Sequence, residues 1–506
     1  MRIVRNVIES VIANYVRWGL TIVASFVFAL PVCAIKHKIV VIADPHVMAE
    51  ELLIKDGTAF QNWLGSTKRL SDFSKAIFDE AVKEILAMSP RPELVMIAGD
   101  ISKDGELLSH QYVKSKLNEL RANGVSTLVV PGNHDWGKRS KAVYFDGDTT
   151  YAATTCVRFG SDDNSLEQIY SEYGFRTFYK DSATVPVAVE RESSSSTLTY
   201  ACEPINGLVV IGIDSGNNGE LSESTVDWVC AKSKAAISEG KQVIAIMHHP
   251  LVKHKIYYPS KKMDPDKVGS KIVRNLFSNA GINVIFTGHT HYHDITMDWN
   301  EDFSRTIFEV ITGTLSEYPC YYRLVTLSED LKEMQITSPR ITKATDSVLG
   351  VPFNPEEAKA KFTMDTIVDN LYEKMLSAGV NEDTAKIAAP YLALAYLYDS
   401  EADETKNPNA PVVLNKLNLL FENYLSYKDT SNSILLDISN YGDKNRENQT
   451  DDCNLTIRLD GYTPINSVIY KGRKESNRWH RLDGLRLYYS MRKGLYIRNG
   501  EKIIIK

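Results

Sequence analysis

Cysteine is scarce and poorly spaced for thiolate chemistry. The six cysteines stand at 33, 156, 202, 230, 320 and 453, and no two form a Cys-x-x-Cys pair. A thiolate metal site or a dithiol redox motif therefore has no support. An oxidising compartment would permit disulfides, but these positions dictate no pairing, and most read as small buried hydrophobes. A long charged tract is missing too, and the net charge is only −6. Nothing in the overall balance favours nucleic acid or an acidic membrane surface as partner. No self-similarity recurs at solenoid or propeller periods. What is present is an ordinary globular composition, 43% hydrophobic and 24% charged, spread over 506 residues. That length exceeds one compact core and implies roughly two to four units.

The N-terminus differs from the rest. Arg2, Arg5 and Arg17 precede an apolar run over 20–31, and Val32-Cys33-Ala34 offers a small-residue cleavage site. This layout predicts a secretory signal peptide over residues 1–34 and an exported protein, periplasmic or associated with the cell envelope. The run is short for a span of about 20 residues, which favours cleavage over an uncleaved anchor helix. Val32 is large for the residue before a lipid-attachment cysteine, which disfavours that role for Cys33. Membrane association, if any, would run through this N-terminus only. Oligomeric state is not legible.

From residue 36 to about 338, short β-branched runs alternate with longer amphipathic stretches. The spacing predicts strands at 39–43, 94–98, 127–130, 208–213, 242–247 and 283–287, with helices over 71–88 and 107–122. This alternation makes an α/β domain, and wholly apolar strands are expected where both faces of a sheet are covered. Residues 138–200 form a long insertion ending in a serine run. After Pro339 the pattern becomes helical: Phe362, Ile367, Leu371 and Met375 share one face of a helix that Gly379 can end. Further helices are expected over 382–398 and 412–427. The chain thus divides into a domain at 36–338, a helical accessory segment at 345–430 and a β-rich basic tail at 435–506. The accessory parts are expected to support the first domain or cover its mouth.

Five polar clusters follow predicted strands: Asp44-Pro-His46, Gly99-Asp100, Gly132-Asn133-His134-Asp135, His248-His249-Pro250 and Gly288-His289-Thr290-His291. In open α/β sheets such strand-end loops converge, so the five would meet at one sheet edge. Carboxylate, imidazole and amide oxygen without thiolate suit Zn, Mn or Fe. Seven candidate ligands exceed one tetrahedral site, and a shared carboxylate would allow two ions about 3.5–4 Å apart.

This ordered set resembles the calcineurin-like metallophosphoesterase superfamily, whose signature is Asp-x-His, Gly-Asp, Gly-Asn-His-Asp/Glu, a strand-end His, and Gly-His-x-His. All five blocks occur in order across residues 36–338. The Asp form of the third block looks most like the branch with bacterial cyclic-nucleotide and glycerophosphodiester phosphodiesterases and purple acid phosphatases. The resemblance implies a layered α/β core, its central sheets flanked by helices. It also implies two divalent transition-metal ions (Mn, Fe or Zn) and hydrolysis of a small phosphomonoester or phosphodiester by a metal-bound hydroxide. By the same resemblance Asp44, His46, Asp100 and His291 hold the first ion. Asp100 bridges to a second ion held by Asn133, His248 and His289. His134 is not a ligand; it faces the phosphate and stabilises or protonates the leaving oxygen. One departure stands out. Some relatives carry an Asp three residues after the bridging Asp, to orient the catalytic His. Here that position is Lys103, with Asp104 next door, so either Asp104 takes the role or nothing does.

Other readings weigh less. A nuclease on the same scaffold would need a basic groove, which overall acidity disfavours. A non-enzymatic scaffold would have lost ligand positions, and here all are filled. His249, His293 and His110 read as ordinary loop or core histidines, and Asp135 as loop support. Trp136, Tyr144, Tyr257 and Tyr258 could line a substrate pocket, although packing is the commoner fate of such aromatics. Lys471, Arg473, Lys474, Arg478 and Arg481 read as a solvated basic face.

Overall fold

The computed structural model describes residues 35–136, 142–152, 164–180, 185–193, 197–252, 268–300, 304–347, 349–377, 379–401, 412–413, 416–417, 419–420, 453–459, 479–481, 494–498 and 501–505. The predicted leader, Tyr257, Tyr258, Lys471, Arg473, Lys474, Arg478 and most of the predicted helix over 412–427 lie outside them. Among the described residues no helix is long and apolar enough to cross a membrane.

Two sheets form the centre. The first contains β1 (Ile35–Ile42), β2 (Leu94–Ala98) and β3 (Ser126–Val130), mutually parallel. The second contains β4 (Tyr200–Ile205), β5 (Leu208–Ile213), β6 (Gln242–Met247), β7 (Val284–Thr287), β8 (Asp294–Trp299) and β9 (Thr306–Ile311). Its order is β8-β9-β7-β6-β5-β4, with the short piece Glu190–Arg191 at the β4 edge. The chain then returns to the first sheet through β10 (Arg323–Ser328) and β11 (Glu333–Thr337), and much later through β12 (Leu455–Arg458). These complete the order β12-β11-β10-β1-β2-β3.

Alternation along the second sheet explains its uniformly apolar strands. Leu208, Val210, Ile244, Ile246, Val284 and Phe286 join one core with β1, β2 and β3. Their sequence neighbours Val209, Ile211, Val243, Ala245 and Ile285 join another with Val226, Val229 and Phe277. Those last three come from α3 (Glu223–Ser238) and α4 (Val268–Asn279). Successive side chains leave a strand on opposite faces, so a strand covered by a sheet on one side and helices on the other must be apolar throughout. The first sheet is flanked by α1 (Ser74–Ala87) and α2 (Leu107–Ala122). The layered α/β architecture expected from the sequence is the architecture found.

The later segments are packed onto this core. The helices α5 (Asp365–Ser377) and α6 (Glu382–Ser400) lie against each other. α5 stops before Gly379, whose N–H reaches back 2.9 Å to the Leu376 carbonyl. Phe362, Ile367, Leu371, Met375, Ala388 and Leu392 belong to the same buried cluster as the sheet residues. β12 pairs in register with β11, Met334 opposite Ile457. The last described strands, Trp479–Arg481, Gly494–Arg498 and Glu501–Ile505, form a separate three-stranded sheet.

Candidate metal centre

The carboxyl ends of β1, β2 and β3 meet those of β6, β7 and β9. The loops interlock through backbone: Leu315 N donates to Ala43 O at 3.0 Å, and Thr314 Oγ1 donates to Asp44 O at 2.6 Å. His248 Nδ1 lies 2.8 Å from Ala98 O, which ties β6 to β2. All seven residues expected to bind metal are brought together here.

They form two groups around one oxygen. Asp44, His46, Asp100 and His291 present ligand atoms within 4.8 Å of one another. His46 Nε2 is 3.2 Å from His291 Nε2 and 3.6 Å from Asp100 Oδ2, and His291 Nε2 is 3.5 Å from Asp44 Oδ1. On the other side of Asp100 Oδ2, at 3.3 Å, lies His248 Nε2. That atom is 3.1 Å from Asn133 Oδ1 and 3.1 Å from His289 Nδ1. Asp100 Oδ2 therefore stands between the two groups, the position of a bridging oxygen, while Asp100 Oδ1 accepts the His134 N–H at 2.7 Å.

The donor chemistry fits divalent cations. A neutral His248 that donates its Nδ1 proton to Ala98 O has a lone pair on Nε2, aimed at the lone pairs of Asn133 Oδ1 and Asp100 Oδ2. Asp44 Oδ1 is buried and has no hydrogen-bond partner, whereas Asp44 Oδ2 accepts the His289 N–H at 2.9 Å. Buried acceptors facing acceptors need positive charge between them, from a cation or, without one, from a proton held on His248. The pKa values respond to the same crowding. Burial lifts Asp44 to about 6 and pushes His46 and His289 well below the ordinary imidazole value. Against the cost of burial, the Asp100 carboxylate lifts His248 to about 9.

The backbone is bent hard to achieve this. Seven described non-glycine residues have φ in the left-handed region, and five are in this centre: Asp44 (48°), His46 (40°), Asp100 (48°), His289 (69°) and His291 (65°). Such conformations cost on the order of 1–3 kcal/mol each and cluster at functional sites. Space is equally tight: a Cβ on Gly132 would strike the Asp100 backbone nitrogen, and one on Gly288 would strike Asp44 Oδ2.

His134 sits beside the metal-facing groups, its ring 5.1 Å from that of His46. Its Nδ1 is 2.6 Å from Asp104 Oδ1, so Asp104 fills the orienting role that the sequence left open. Asp104 Oδ2 in turn meets Lys103 Nζ at 2.6 Å. Burial works against ionisation of Asp104, but the bond to His134 and the Lys103 charge bring it below the usual carboxylate range. Asp135 accepts the Ser102 and Gly132 N–H groups at 2.9 and 2.8 Å, the loop support expected of it.

Two residues escaped the sequence reading. Glu317 Oε1 lies 2.7 Å from His291 Nδ1, fixing which ring nitrogen faces the metal group. Arg69 Nη2 lies 3.3 Å from His134 Nε2. Glu317 follows β9 as the five clusters follow their strands, a positional signal that could have found it; Arg69 carries none. His249 lies nearer the centre than expected, its ring 4.4 Å from that of His289, with Nδ1 held 2.7 Å from Ser215 Oγ. His110 and His293 are structural: His110 meets the Tyr170 hydroxyl at 2.9 Å, and His293 Nδ1 accepts the Gly313 N–H at 3.0 Å. Trp136 is buried in the main core, and Tyr144 stacks on Tyr151 at 5.1 Å.

The chain is also similar in sequence to known proteins. Residues 37–293 match the family model described as calcineurin-like phosphoesterase. The glycerophosphodiester phosphodiesterase GpdQ of Enterobacter lignolyticus (strain SCF1) is 23% identical over 242 residues, covering 47% of this chain and 69% of that protein. A probable glycerophosphodiester phosphodiesterase GpdQ of Arcobacter nitrofigilis is 22% identical over 237 residues, covering 46% and 67%. Among solved structures, a dimetal phosphatase from Danio rerio aligns with TM-score 0.39 at 14% identity, over 60% of this chain and 96% of that one. The purple acid phosphatase PPD1 of yellow lupin seeds aligns with TM-score 0.39 at 10% identity, over 63% and 52%. With half of its length matched by the family model and the metal-facing groups assembled, the chain belongs to the calcineurin-like phosphoesterase family and is a metal-dependent phosphoester hydrolase.

Proposed function

We propose that Asp44, His46, Asp100 and His291 hold one divalent transition-metal ion, that Asn133, His248 and His289 hold a second, and that Asp100 Oδ2 is shared. The observation that carries this reading is the position of Asp100 Oδ2, 3.6 Å from His46 Nε2 and 3.3 Å from His248 Nε2. Bound there, the ions would lower the pKa of water toward neutrality and screen the phosphoryl charge during in-line attack. The nitrogen and oxygen donor set suits Zn, Mn or Fe.

The chain's own residues do the remaining work. His134 stabilises or protonates the leaving oxygen through Nε2, since its Nδ1 is engaged by Asp104. Glu317 and Ala98 O hold His291 and His248 with Nε2 inward. The substrate is a small phosphomonoester or phosphodiester, and the names of the two relatives add glycerophosphodiesters to the compounds worth testing. Catalysis belongs to residues 36–338, which hold every metal-facing residue, with 345–430 and 435–506 as accessory parts. The basic and apolar leader in residues 1–34 supports export to the periplasm or cell envelope.

The test combines elemental analysis with turnover of the metal-loaded protein. Substrates are nitrophenyl mono- and diesters, glycerophosphodiesters, cyclic nucleotides and nucleic acid. Two ions per chain and hydrolysis of small esters are expected. One ion or none after reconstitution, or turnover confined to nucleic acid, would overturn the reading.

A further inference from the structure

Arg69 lies between the helix Thr58–Leu64 and α1, outside every strand-end cluster. The protein nevertheless delivers its guanidinium to the centre. Nη2 is 3.3 Å from His134 Nε2, the ring atom left for substrate once Nδ1 is bonded to Asp104.

The neighbouring lysine shows what Arg69 lacks. Lys68 Nζ pairs with Glu317 Oε2 at 3.4 Å. Among the described residues no carboxylate forms an ion pair with Arg69, and its side chain bonds only to His134. A guanidinium has five N–H donors in a planar fork that matches phosphate oxygens. A half-buried fork with donors to spare, beside the atom that meets the leaving oxygen, is built for an anion from outside the chain.

The loop is also held firmly. Arg69 O accepts from Lys361 Nζ at 3.3 Å, and Leu70 N donates to Ser316 O at 2.7 Å. Thr366 Oγ1 donates to Gly65 O at 2.5 Å, and Lys68 Nζ lies over the Phe362 and Tyr396 rings at 4.7 and 5.4 Å. Lys361, Phe362, Thr366 and Tyr396 all come from the helical segment. That segment thus fixes the loop before substrate arrives, which is what a positioning interaction requires.

We propose that Arg69 is the substrate-anchoring residue of this centre: its guanidinium binds a terminal phosphoryl oxygen beside His134 Nε2 and so favours phosphomonoesters over diesters. The proposal rests on the metal-centre reading above. A diester has two non-bridging oxygens and a single negative charge. A monoester brings a third terminal oxygen and a second charge, and the Arg69 fork stands where it can bind that oxygen.

The experiment uses the metal-loaded full chain, Arg69→Ala and Arg69→Lys. Initial rates are measured on 4-nitrophenyl phosphate and bis(4-nitrophenyl) phosphate, with inorganic phosphate as competitor and metal content determined in parallel. Arg69→Ala should keep both ions while the phosphate inhibition constant rises about 10- to 10²-fold. Monoester kcat/KM should fall by a similar factor and diester kcat/KM by clearly less. Arg69→Lys, which keeps the charge but not the fork, should lie between. Unchanged phosphate inhibition in Arg69→Ala overturns the proposal, as does an equal fall on both esters. If Arg69→Ala does not fold, Arg69→Lys and Arg69→Gln decide by the same criteria. If the wild type hydrolyses neither nitrophenyl ester, the function reading is decided by its own wider substrate set, and phosphate binding measured by thermal shift decides the role of Arg69.

Discussion

Replacing Asp104 by Asn leaves every metal-facing side chain in place and removes only the charge behind His134. Asp104 Oδ1 is 2.6 Å from His134 Nδ1, and Asp104 is buried beside Lys103, which lies over the Trp63 ring at 5.0 Å. A hydrogen bond to a charged partner contributes about 1.5–3 kcal/mol, and each 1.36 kcal/mol is tenfold in rate. If that bond steadies His134 mainly while it acts as acid, Asp104→Asn should lower kcat by about 10- to 150-fold with both ions retained. The loss is smaller than for deleting the imidazole, because the amide still supports the ring. Stability should fall as well, since Lys103 loses the nearer of its two described carboxylate partners, Glu106 standing farther off at 3.4 Å. Turnover must therefore be measured well below the melting transition. A double-mutant cycle separates the two effects: with His134→Ala already present, Asp104→Asn should cost almost nothing further in kcat. Wild-type turnover in Asp104→Asn, or additive losses in the double mutant, would refute the reasoning.

His134→Ala should keep both ions while turnover falls by about 10²–10⁴-fold, whereas Asp100→Ala should empty or disorder the metal pair. Elemental analysis beside kinetics checks this, and loss of metal from His134→Ala would make His134 a ligand. Glu317→Gln weakens the hold on His291 and should lower affinity for one ion by about 10- to 10²-fold, read from a metal titration; an unchanged titration contradicts that role. His110 is buried and pushed down to about 3 from an ordinary 6.5, so the unfolded chain binds a proton that the folded chain refuses. Its contribution is present above pH 6.5 and is lost as pH falls, by about 1.4 kcal/mol per unit. Urea unfolding of metal-free protein between pH 5 and 7 should show a shallower pH slope in His110→Gln, and an equal slope would count against it.

Much of the fold was legible because burial on both faces makes an apolar run and a strand coincide. Leu94–Ala98, Leu208–Ile213 and Gln242–Met247 begin and end where the runs do, as does the helix Leu107–Ala122. α1 begins three residues later than its periodicity predicts, because Ser71 and Phe73 belong to a turn held by Phe73 N to Leu70 O at 2.9 Å. The metal-facing residues were legible because polar residues interrupt the chain just where those strands stop. Partnerships across long sequence separations were not. β12 joins β11 by a register that no local pattern encodes. Arg69 reaches His134 only because the helical segment pins its loop, and Glu317 reaches His291 because the chain after β9 is laid against Ala43 and Asp44. Asp104 was one position away from the family pattern, and only the packing of Lys103 against Trp63 reveals which of the two neighbours turns toward His134.

The strand-end clusters encode steric demands as much as ligand chemistry. Five left-handed residues at on the order of 1–3 kcal/mol each would rival the net stability of a domain if nothing offset them. Here the strain is placed where strand hydrogen bonding ends and loop bonding begins: Asp44 N to Gly99 O at 3.2 Å, His46 N to Asp100 O at 3.0 Å. Asp44 and His46 are therefore braced by the loop that follows β2, and the brace in turn sets how closely the loops approach. Gly132 and Gly288 follow from that approach, since a Cβ at either would collide with Asp100 or Asp44. A chain carrying all seven donors but alanine at those two positions would keep the chemistry of the centre and lose its geometry. The glycine preceding Asn133 and the one preceding His289 are thus as informative about a metal pair as the donors themselves, because they report how tightly the two sheets must close around it.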